Sequence, residues 1–539
     1  MTEAALFLFI ILPWLSPFTL GPTASVAPLL VSWACATALS LTPAPIQDAT
    51  AILKRFGAVA LLFLGAALWQ TGFPPGAETL ALCMSLLAIL ACAIRFSGSG
   101  PADARLVARA WLLAGLASAL MGWLQYTGMG SSLAPWVSHA NFGEAFGNLR
   151  QRNLYASLTS IALCALLWLA RNDAWFHRPL RVILPAALLA AGNALSHSRT
   201  GLFELLLILG LAGIWGLHRE RAARWALAPV VPAYLVAAVG LPMLFTAGAH
   251  PGIFTRLSVG APTCSSRMTL WSNVLELIGQ KPWFGWGWGR LDYAHYMHLY
   301  EGVRFCDILD NAHNLPLHLA VELGAPMALI LCGAALWATW RSRPWRESDP
   351  LRQLAWTVLA VLALHSLLEY PLWYGPFQMA LGICLGLLWP ARRANAGRPF
   401  VAVALAAPLM AGVALGALDY HRALQIYLAP DERAAAYRDH TLEKVRAVWI
   451  FRDQVRFAEL TTTPLERGNA KWTHAMATSL LTFSPEPRVI EKAIESAVML
   501  GRDDEALQQL VHFRAAFPKD HAEWAAPLHG QPSRSEPEN

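Results

Sequence analysis

Three residues in polar stretches of a mostly apolar chain could together bind an anion and move a proton. Arg199 and Arg267 carry planar guanidinium groups, which suit phosphate oxygens better than a Lys ammonium does. His313 stands just before an apolar run, where a neutral imidazole can accept a proton at neutral pH. The sequence therefore predicts a site for a diphosphate-bearing ligand with His313 as the base. The structural alternatives are arginines that bind lipid phosphate and a His that caps a helix.

A second polar cluster contains Arg150, Gln151 and Asn153, at the start of another apolar run. Its side chains, together with the free N–H groups of a helix start, could bind an anionic or hydroxyl-rich ligand. The alternative is an interfacial turn with solvated side chains. We predict that these three residues contact the substrate.

Two His–Glu pairs are spaced one helical turn apart, His318 with Glu322 and His365 with Glu369. Ionisable residues inside membrane segments are usually functional. A structural clamp explains the second pair as well as a catalytic role does, and Glu322 could instead pair with an Arg or orient a His. No third ligand stands at a suitable spacing, so we predict no metal site.

The segment Gly285-Trp286-Gly287-Trp288-Gly289 belongs to the same long polar stretch as Arg267 and His313. It is not a dinucleotide fingerprint, because no strand–turn–helix unit surrounds it. Its Trp rings favour anchoring at a membrane interface, with stacking on sugars as the alternative. Cys264 and Cys306 flank the segment and form a candidate disulfide if the loop faces an oxidising compartment.

Membrane helices must position these motifs, because the chain is too apolar for a soluble protein of its length. Of its 539 residues, 56% are hydrophobic and 14% are charged, and the mean hydropathy is +0.41. Apolar runs long enough to cross a bilayer predict about thirteen helices within residues 1–417. One of these predicted spans covers 315–340. The predicted fold class is an all-α polytopic membrane bundle.

The distribution of Lys and Arg predicts the orientation of the bundle. If the N-terminus is cytoplasmic, the basic clusters between spans fall in cytoplasmic loops, as the positive-inside rule requires. The large loop at about 247–314 then faces outward. The first helix lacks a basic n-region, so we expect it to be retained. Because the charges are scattered between apolar runs, the net charge of +6 does not indicate nucleic-acid binding.

The composition changes after Tyr420 to amphipathic segments of ordinary charge density. Residues 418–528 are predicted to form a soluble helical domain on the outer side, and 529–539 a disordered tail. Residues 499–518 are typical of one helix–turn–helix unit of the tetratricopeptide kind.

In chain order, these motifs resemble the O-antigen ligase and polymerase superfamily, and most closely the bacterial protein O-oligosaccharyltransferases of the PglL type. The resemblance covers about 147–388 and, less distinctly, the C-terminal domain. One departure is Arg152 before Asn153, where the family tends to have Pro. The residues that carry the resemblance are Asn148–Asn153, Ser198–Gly201, Arg267, Trp271, Pro282–Gly289, His313, Asn314, Glu322–Gly324 and His365–Pro371.

The resemblance implies an inverting, metal-independent glycosyltransferase of the bacterial inner membrane that needs no cofactor. Its partners would be an undecaprenyl-diphosphate-linked oligosaccharide, an acceptor protein of the periplasm or a pilin, and membrane lipids. His313 would act as the base, while Arg199 and Arg267 would stabilise the departing diphosphate. The expected substrate-binding residues are Arg150, Gln151, Asn153, Asn314, Glu322, His365 and Glu369.

Three acceptors compete within this superfamily: a Ser or Thr of a protein, the lipid A core sugar of a ligase, and the second lipid-linked glycan of a polymerase. The C-terminal helical domain favours a protein, because helical repeats bind polypeptides well. Outside enzymes, a transporter of lipid-linked glycans would also place Arg among its spans. A transporter places ionisable groups near the bilayer midplane, often in internal repeats, whereas here they cluster at one face.

Overall fold

The computed structural model describes residues 3–19, 23–42, 56–71, 76–245, 262–389 and 399–529, and the regular structure within these ranges is helical. The first ten helices are α1 (Glu3–Leu15), α2 (Val26–Ser40), α3 (Ala58–Thr71), α4 (Ala77–Arg95), α5 (Pro101–Tyr126), α6 (Arg152–Asn172), α7 (Leu180–Leu195), α8 (Arg199–Ile214), α9 (Arg221–Leu227) and α10 (Val230–Phe245). The next seven are α11 (Arg267–Gln280), α12 (Leu291–Met297), α13 (Leu315–Leu323), α14 (Ala325–Ser342), α15 (Pro350–Ser366), α16 (Gly375–Leu387) and α17 (Pro399–Leu424). The last six are α18 (Thr441–Val445), α19 (Arg452–Thr462), α20 (Ala470–Leu480), α21 (Pro487–Met499), α22 (Asp503–Ala516) and α23 (Pro518–His529).

Helix α6 forms the centre of the bundle. It packs against α5, α7, α8 and α15, and every residue from Leu154 to Ala170 is buried. Small residues allow this close packing, because a Cβ added at Gly115 of α5 would overlap the Cβ of Ala162. The central helix is therefore enclosed by protein rather than lipid.

Six helical segments of the described residues are long and apolar enough to cross a bilayer. They are Ala77–Arg95, Pro101–Tyr126, Arg152–Asn172, Arg221–Leu244, Pro350–Leu368 and Val403–Tyr427. Shorter apolar helices, among them α1, α2, α7 and α16, belong to the same bundle. The chain is a helical membrane protein, and the number of about thirteen spans stays a prediction.

The predicted span over 315–340 is two helices that meet at Gly324. This residue has φ +90°, a conformation that ends α13 and that other residues adopt only under strain. A Cβ at Gly324 would also overlap the carbonyl of Trp283. The apolar composition continues across the break, which is why composition alone predicts a single span.

The loop between α10 and α13 contains α11 and α12, which share a small apolar core that includes Leu270, Val274 and Leu291. The predicted loop 247–314 begins earlier, and its residues up to 261 lie outside the described ranges. The other side of α12 joins the apolar core of the C-terminal helices through Tyr296, whose hydroxyl donates to Gln509 Oε1 at 2.7 Å. Helix α12 thus connects the loop to the C-terminal domain.

The C-terminal domain follows α17, which continues through the predicted boundary at 417. Near its end, the Asp419 carboxylate accepts hydrogen bonds from the backbone N–H groups of Trp449 and Phe451, at 3.1 and 3.2 Å. Helices α19 to α23 then pack mainly as successive neighbours. The relation to tetratricopeptide repeats stays a prediction, and the predicted tail 529–539 lies outside the described residues except for His529.

Candidate active site

Arg267 is the first residue of α11, and two local constraints fix the chain before it. The Oγ atom of Ser266 accepts a hydrogen bond from the N–H of Thr269 at 3.1 Å, which caps the helix. Cys264 and Cys306 form a disulfide with a Cα–Cα distance of 5.3 Å. The chain on both sides of the Trp–Gly segment is thereby joined just before Arg267.

His313 lies in the turn that precedes α13, in the left-handed conformation with φ +48°. The turn is fixed by hydrogen bonds from side chains: the N–H of His313 donates to Asn311 Oδ1 at 2.9 Å, and Asn314 Oδ1 accepts from the N–H of Leu317 at 3.1 Å. Asn314 also donates through Nδ2 to the carbonyl of Leu367 at 3.0 Å. This last bond attaches the His313 turn to the end of α15.

Glu369 contacts both His313 and Arg267. His313 Nδ1 is 2.6 Å from Glu369 Oε2, and the guanidinium of Arg267 donates to Oε1 of the same carboxylate. The exposed fractions of the side chains are 8% for Glu369, 19% for His313 and 34% for Arg267. The carboxylate therefore lies behind the imidazole and the guanidinium and leaves their outer sides accessible.

Glu369 follows the end of α15 and lies outside the candidate span Pro350–Leu368. Its pKa reflects its contacts with His313 and Arg267. Burial raises the pKa of Glu369. The hydrogen bond and charge of His313 and the charge of Arg267 lower it by a larger amount, so the net pKa lies below the ordinary value. Glu369 is thus an anion at neutral pH. The ring of Tyr370 packs edge-on against His313, with centroids 4.9 Å apart.

A second group of polar residues surrounds the start of α8. Asn153, near the start of α6, accepts a hydrogen bond from Ser198 Oγ at 2.6 Å, and Ser198 accepts from the N–H of Gly201 as the helix cap. Gln151 caps α6. Arg199 follows Ser198 and is exposed, and no carboxylate within the described part of the chain pairs with it. A free guanidinium at a helix N-terminus favours an anionic ligand.

A buried contact between α6, α8 and α15 relates the two groups. His365 Nδ1 is 2.6 Å from Ser157 Oγ and 3.7 Å from Glu204 Oε1, and all three side chains are fully buried. Arg199 lies five residues before Glu204, and Glu369 lies four residues after His365. At the helical rise per residue, Arg199 and Glu369 are each about 6–8 Å from the buried contact along the helix axis.

The ends of these helices show that Arg199 and Glu369 lie on the same face of the bundle. At the far end of α6, Arg171 Nη1 donates to Gln353 at the start of α15 at 2.8 Å, and its Nε is 2.6 Å from Glu220 beyond the end of α8. The start of α8 and the end of α15 are therefore together at the other end. We call the side with His313 and Arg199 the site face and the side with Arg171 the opposite face.

Three predicted substrate contacts lie away from the His313–Glu369–Arg267 group or are enclosed by protein. The guanidinium of Arg150 donates to the backbone carbonyl of Pro17. His365 has no exposed surface, and Glu322 is 1% exposed with His318 Nε2 at 3.3 Å. Glu322 thus pairs with a buried His, one of the alternatives predicted for it. The described residues contain no group of three His, Cys, Asp or Glu side chains that could hold a metal ion.

The Trp–Gly segment packs on the end of α13. The N–H groups of Trp286 and Gly287 donate to the carbonyls of Val321 and Glu322 at 2.8 and 3.0 Å. A Cβ at Gly285, where φ is +71°, would overlap the backbone of Glu322. The glycines therefore permit a close approach between the loop and the helix that follows His313.

Sequence reasoning missed two supporting residues. Asn311 holds the N–H of His313, and Trp271 donates through Nε1 to the carbonyl of Ala312 at 3.1 Å. Both stand near residues recognised in the sequence, but nothing in their spacing indicates that they support the His313 turn. Glu369 was predicted to contact substrate, whereas the structure places it next to His313, the predicted base, and Arg267, which is predicted to bind phosphate.

Three family models match separate parts of the chain. Residues 353–529 match the C-terminal part of the virulence factor membrane-bound polymerases, 184–332 match O-antigen ligase, and 145–170 match protein glycosylation ligase. The matched parts include Arg199, Arg267, His313 and Glu369. Two curated proteins of Acinetobacter baylyi are also similar. The first, named general O-oligosaccharyltransferase, is 24% identical over 359 residues.

The chain is similar to two proteins named as O-oligosaccharyltransferases. The second similar protein is named ComP-specific O-oligosaccharyltransferase and is 25% identical over 248 residues. The alignments cover 63% and 46% of this chain, and only 57% and 44% of the respective relatives. The predicted resemblance to the O-oligosaccharyltransferases within the O-antigen ligase superfamily is confirmed.

Proposed function

We propose that the chain is a glycosyltransferase that moves a glycan en bloc from undecaprenyl diphosphate to Ser or Thr hydroxyls of periplasmic or pilin-like proteins. The names of the two relatives support this reaction class. The observation that carries the proposal is the single carboxylate, Glu369, that contacts both an imidazole and a guanidinium. An acid–base pair and an anion-binding group thereby share one accessible surface.

In the proposed reaction, His313 is the general base. Glu369 accepts the hydrogen bond of Nδ1–H, which leaves the lone pair of Nε2 free to take a proton. Nε2 removes the proton of the acceptor hydroxyl while its oxygen attacks the anomeric carbon with inversion. The resulting imidazolium is stabilised by the negative charge of Glu369.

The arginines act on the leaving group. As the bond between the anomeric carbon and the diphosphate oxygen breaks, Arg267 and Arg199 stabilise the developing negative charge. Arg150, Gln151, Asn153 and Asn314 are proposed to bind the donor or the acceptor. A lipid diphosphate is a good leaving group, so the chemistry requires neither a metal ion nor a strong general acid.

The site face is proposed to lie at the periplasmic side of the inner membrane. Clusters of basic residues on the opposite face support this orientation through the positive-inside rule. The matches to O-antigen ligase and to the membrane-bound polymerases favour, as a second candidate, transfer to the lipid A core or to another lipid-linked glycan. That reaction would use the same base and the same arginines.

The experiment that tests the proposal compares wild type with His313→Ala in cells that make one lipid-linked glycan. Intact-mass spectrometry of periplasmic proteins and a lipopolysaccharide gel report the acceptor. We expect a glycan on Ser or Thr that is lost in His313→Ala, since a general base contributes about 10²- to 10⁴-fold. His218→Ala, an exposed His of the opposite face, is the control and should keep full activity.

Each outcome distinguishes the candidates. A change in lipopolysaccharide alone would assign the chain as a ligase or polymerase. Absence of both products in wild type would favour a transporter of lipid-linked glycans. Full activity of His313→Ala at normal protein level would refute the assignment of the base.

A further inference from the structure

A cleft opens on the opposite face of the bundle, beside the start of α7 and along α9. Its volume is about 410 Å³, and its lining residues are Ile183, Arg221, Arg224, Trp225, Ala228 and Pro229. The two guanidinium groups supply its charge, and its other walls are aliphatic or aromatic. Such a lining suits a ligand that has an anionic group next to an apolar one.

The two arginines of the cleft are not neutralised by the protein. Both are exposed, and within the described ranges neither guanidinium makes a hydrogen bond or an ion pair. The neighbouring carboxylate, Glu220, is engaged by Arg171 in two hydrogen bonds of 2.6 and 3.0 Å. The guanidinium of Arg221 lies 5.4 Å from the ring centroid of Trp225. The cleft therefore has a net positive charge.

The position of the cleft along its helix places it at the level of lipid head groups. The candidate span Arg221–Leu244 has 24 residues, in α9 and α10 with a turn between them, more than the roughly 20 that cross a hydrocarbon layer of about 30 Å. One end of this span must therefore extend into the head-group layer, and the arginines are at an end. A Trp beside them is typical of that layer.

The cleft also lies at the periphery of the bundle, next to lipid. Along α10, the apolar side chains of Val236 and Met243 are 71% and 73% exposed, and beside the cleft Leu184 is 62% exposed. Exposed apolar side chains on helices of this kind face acyl chains. The cleft is therefore directly adjacent to the lipids of the bilayer.

We propose that this cleft binds the head group of an anionic phospholipid such as phosphatidylglycerol. The phosphate lies between Arg221 and Arg224, and the glycerol carbons contact Trp225 and Ile183. The apolar wall favours a lipid over a free anion. A zwitterionic head group is disfavoured because its ammonium would approach two uncompensated arginines. The site is on the face opposite His313, so its role is to fix the depth of α9 in the bilayer.

The test measures lipid binding to the purified full-length chain by native mass spectrometry. Phosphatidylglycerol and phosphatidylcholine with identical acyl chains are titrated in parallel. Two arginines at the head-group level predict a preference for phosphatidylglycerol of about tenfold or more. Arg221→Gln/Arg224→Gln should reduce this preference to near unity. The matched control, Arg178→Gln/Arg219→Gln, removes two exposed arginines of the same face and should keep it.

Two outcomes overturn the proposal, and one measurement controls for folding. An equal loss of preference in both double variants would mean that the general surface charge attracts the lipid. Displacement of the lipid by soluble glycerol 3-phosphate would mean that the cleft binds free phosphates. Normal thermal unfolding of the double variant would show that a loss of binding is not a loss of fold.

Discussion

The two oxygens of Glu369 have different partners, one the imidazole of His313 and the other the guanidinium of Arg267. A carboxylate in this position fixes the tautomer of the imidazole and stabilises the charge that a base acquires. Because only 8% of its side chain is exposed, its contribution is to orient the two groups. Because His313 and Arg267 bind the same carboxylate, the proposed base and the proposed phosphate-binding group keep a constant separation.

Replacement of this carboxylate by an amide is the direct test of its role. Glu369→Gln keeps the side-chain volume but removes the charge that stabilises His313 when protonated. We expect kcat to fall by about 10²-fold or more, with a smaller change in KM. Asp310→Asn, three residues before His313 and exposed, is the control. A fall in KM alone, or an equal effect in the control, would contradict an orienting role.

Asp292 of α12 provides a prediction for pH dependence. Burial, followed by the nearby charges of Glu322 and Asp310, raises the pKa of Asp292 to about 8. Since the folded-state pKa lies above the unfolded value, the folded state binds the proton more tightly. The loop should therefore lose stability as the pH rises from about 4 to about 8. As the pH rises, hydrogen exchange of residues 291–297 should speed up by more than the intrinsic exchange rate does. Asp292→Asn should remove this excess, and an unchanged excess would show that another group titrates.

At the scale of helices, the contact among Ser157, Glu204 and His365 sets the register of α6, α8 and α15. The site-face ends of these three helices carry Asn153, Arg199 and Glu369. A slide of α8 by one turn would move Arg199 by about 5 Å. A buried polar contact suits this purpose, because its hydrogen bonds are satisfied in one register only.

Glu204→Ala should therefore affect both stability and activity. It leaves the buried hydroxyl of Ser157 without its acceptor, at a cost of about 1–3 kcal/mol, which lowers the midpoint of thermal unfolding in detergent. Activity should fall because Arg199 is displaced. Glu204→Gln restores an acceptor oxygen and should recover most of both. If the Gln variant were as impaired as the Ala variant, the charge of Glu204 would be the essential property.

Apolar runs predicted the helices well, because a membrane helix needs a long uncharged segment and few other structures do. The break at Gly324 was missed, since it depends on a backbone conformation and on the nearby carbonyl of Trp283. The same limit applies to the site. His365 and Glu369 have equal claims in the sequence, yet the first turns toward Ser157 and the second toward His313. That choice depends on helix packing between residues far apart in the chain.

At the scale of the whole molecule, α12 joins three parts: its Leu291 packs with α11, its Tyr296 packs in the C-terminal core, and the loop continues to His313. The C-terminal domain is thus attached to the helix that begins with Arg267. An acceptor protein bound to this domain would be held close to the site.

Tyr296 is the residue to change in order to test this attachment. It is 2% exposed and donates to Gln509. Tyr296→Ala should cost about 3 kcal/mol through the cavity it leaves, and Tyr296→Phe about 1 kcal/mol through the lost hydrogen bond. Hydrogen exchange in α22 should rise slightly in Tyr296→Phe and more strongly in Tyr296→Ala. If Tyr296→Ala transfers glycan to a free hydroxyl peptide at the wild-type rate but to a folded acceptor more slowly, the attachment of α12 to the C-terminal domain serves acceptor binding.

The shared carboxylate also has a consequence for the order of substrate addition. A diphosphate that binds the accessible side of Arg267 offsets part of the guanidinium charge that acts on Glu369, so the carboxylate then acts more strongly on His313. The imidazole then becomes more basic only once the donor is present. We therefore expect a compulsory sequence with the donor first. In initial-rate kinetics, a dead-end acceptor analogue should inhibit uncompetitively against the donor. A noncompetitive (mixed) pattern would show that the acceptor also binds enzyme without donor and that the two steps are uncoupled.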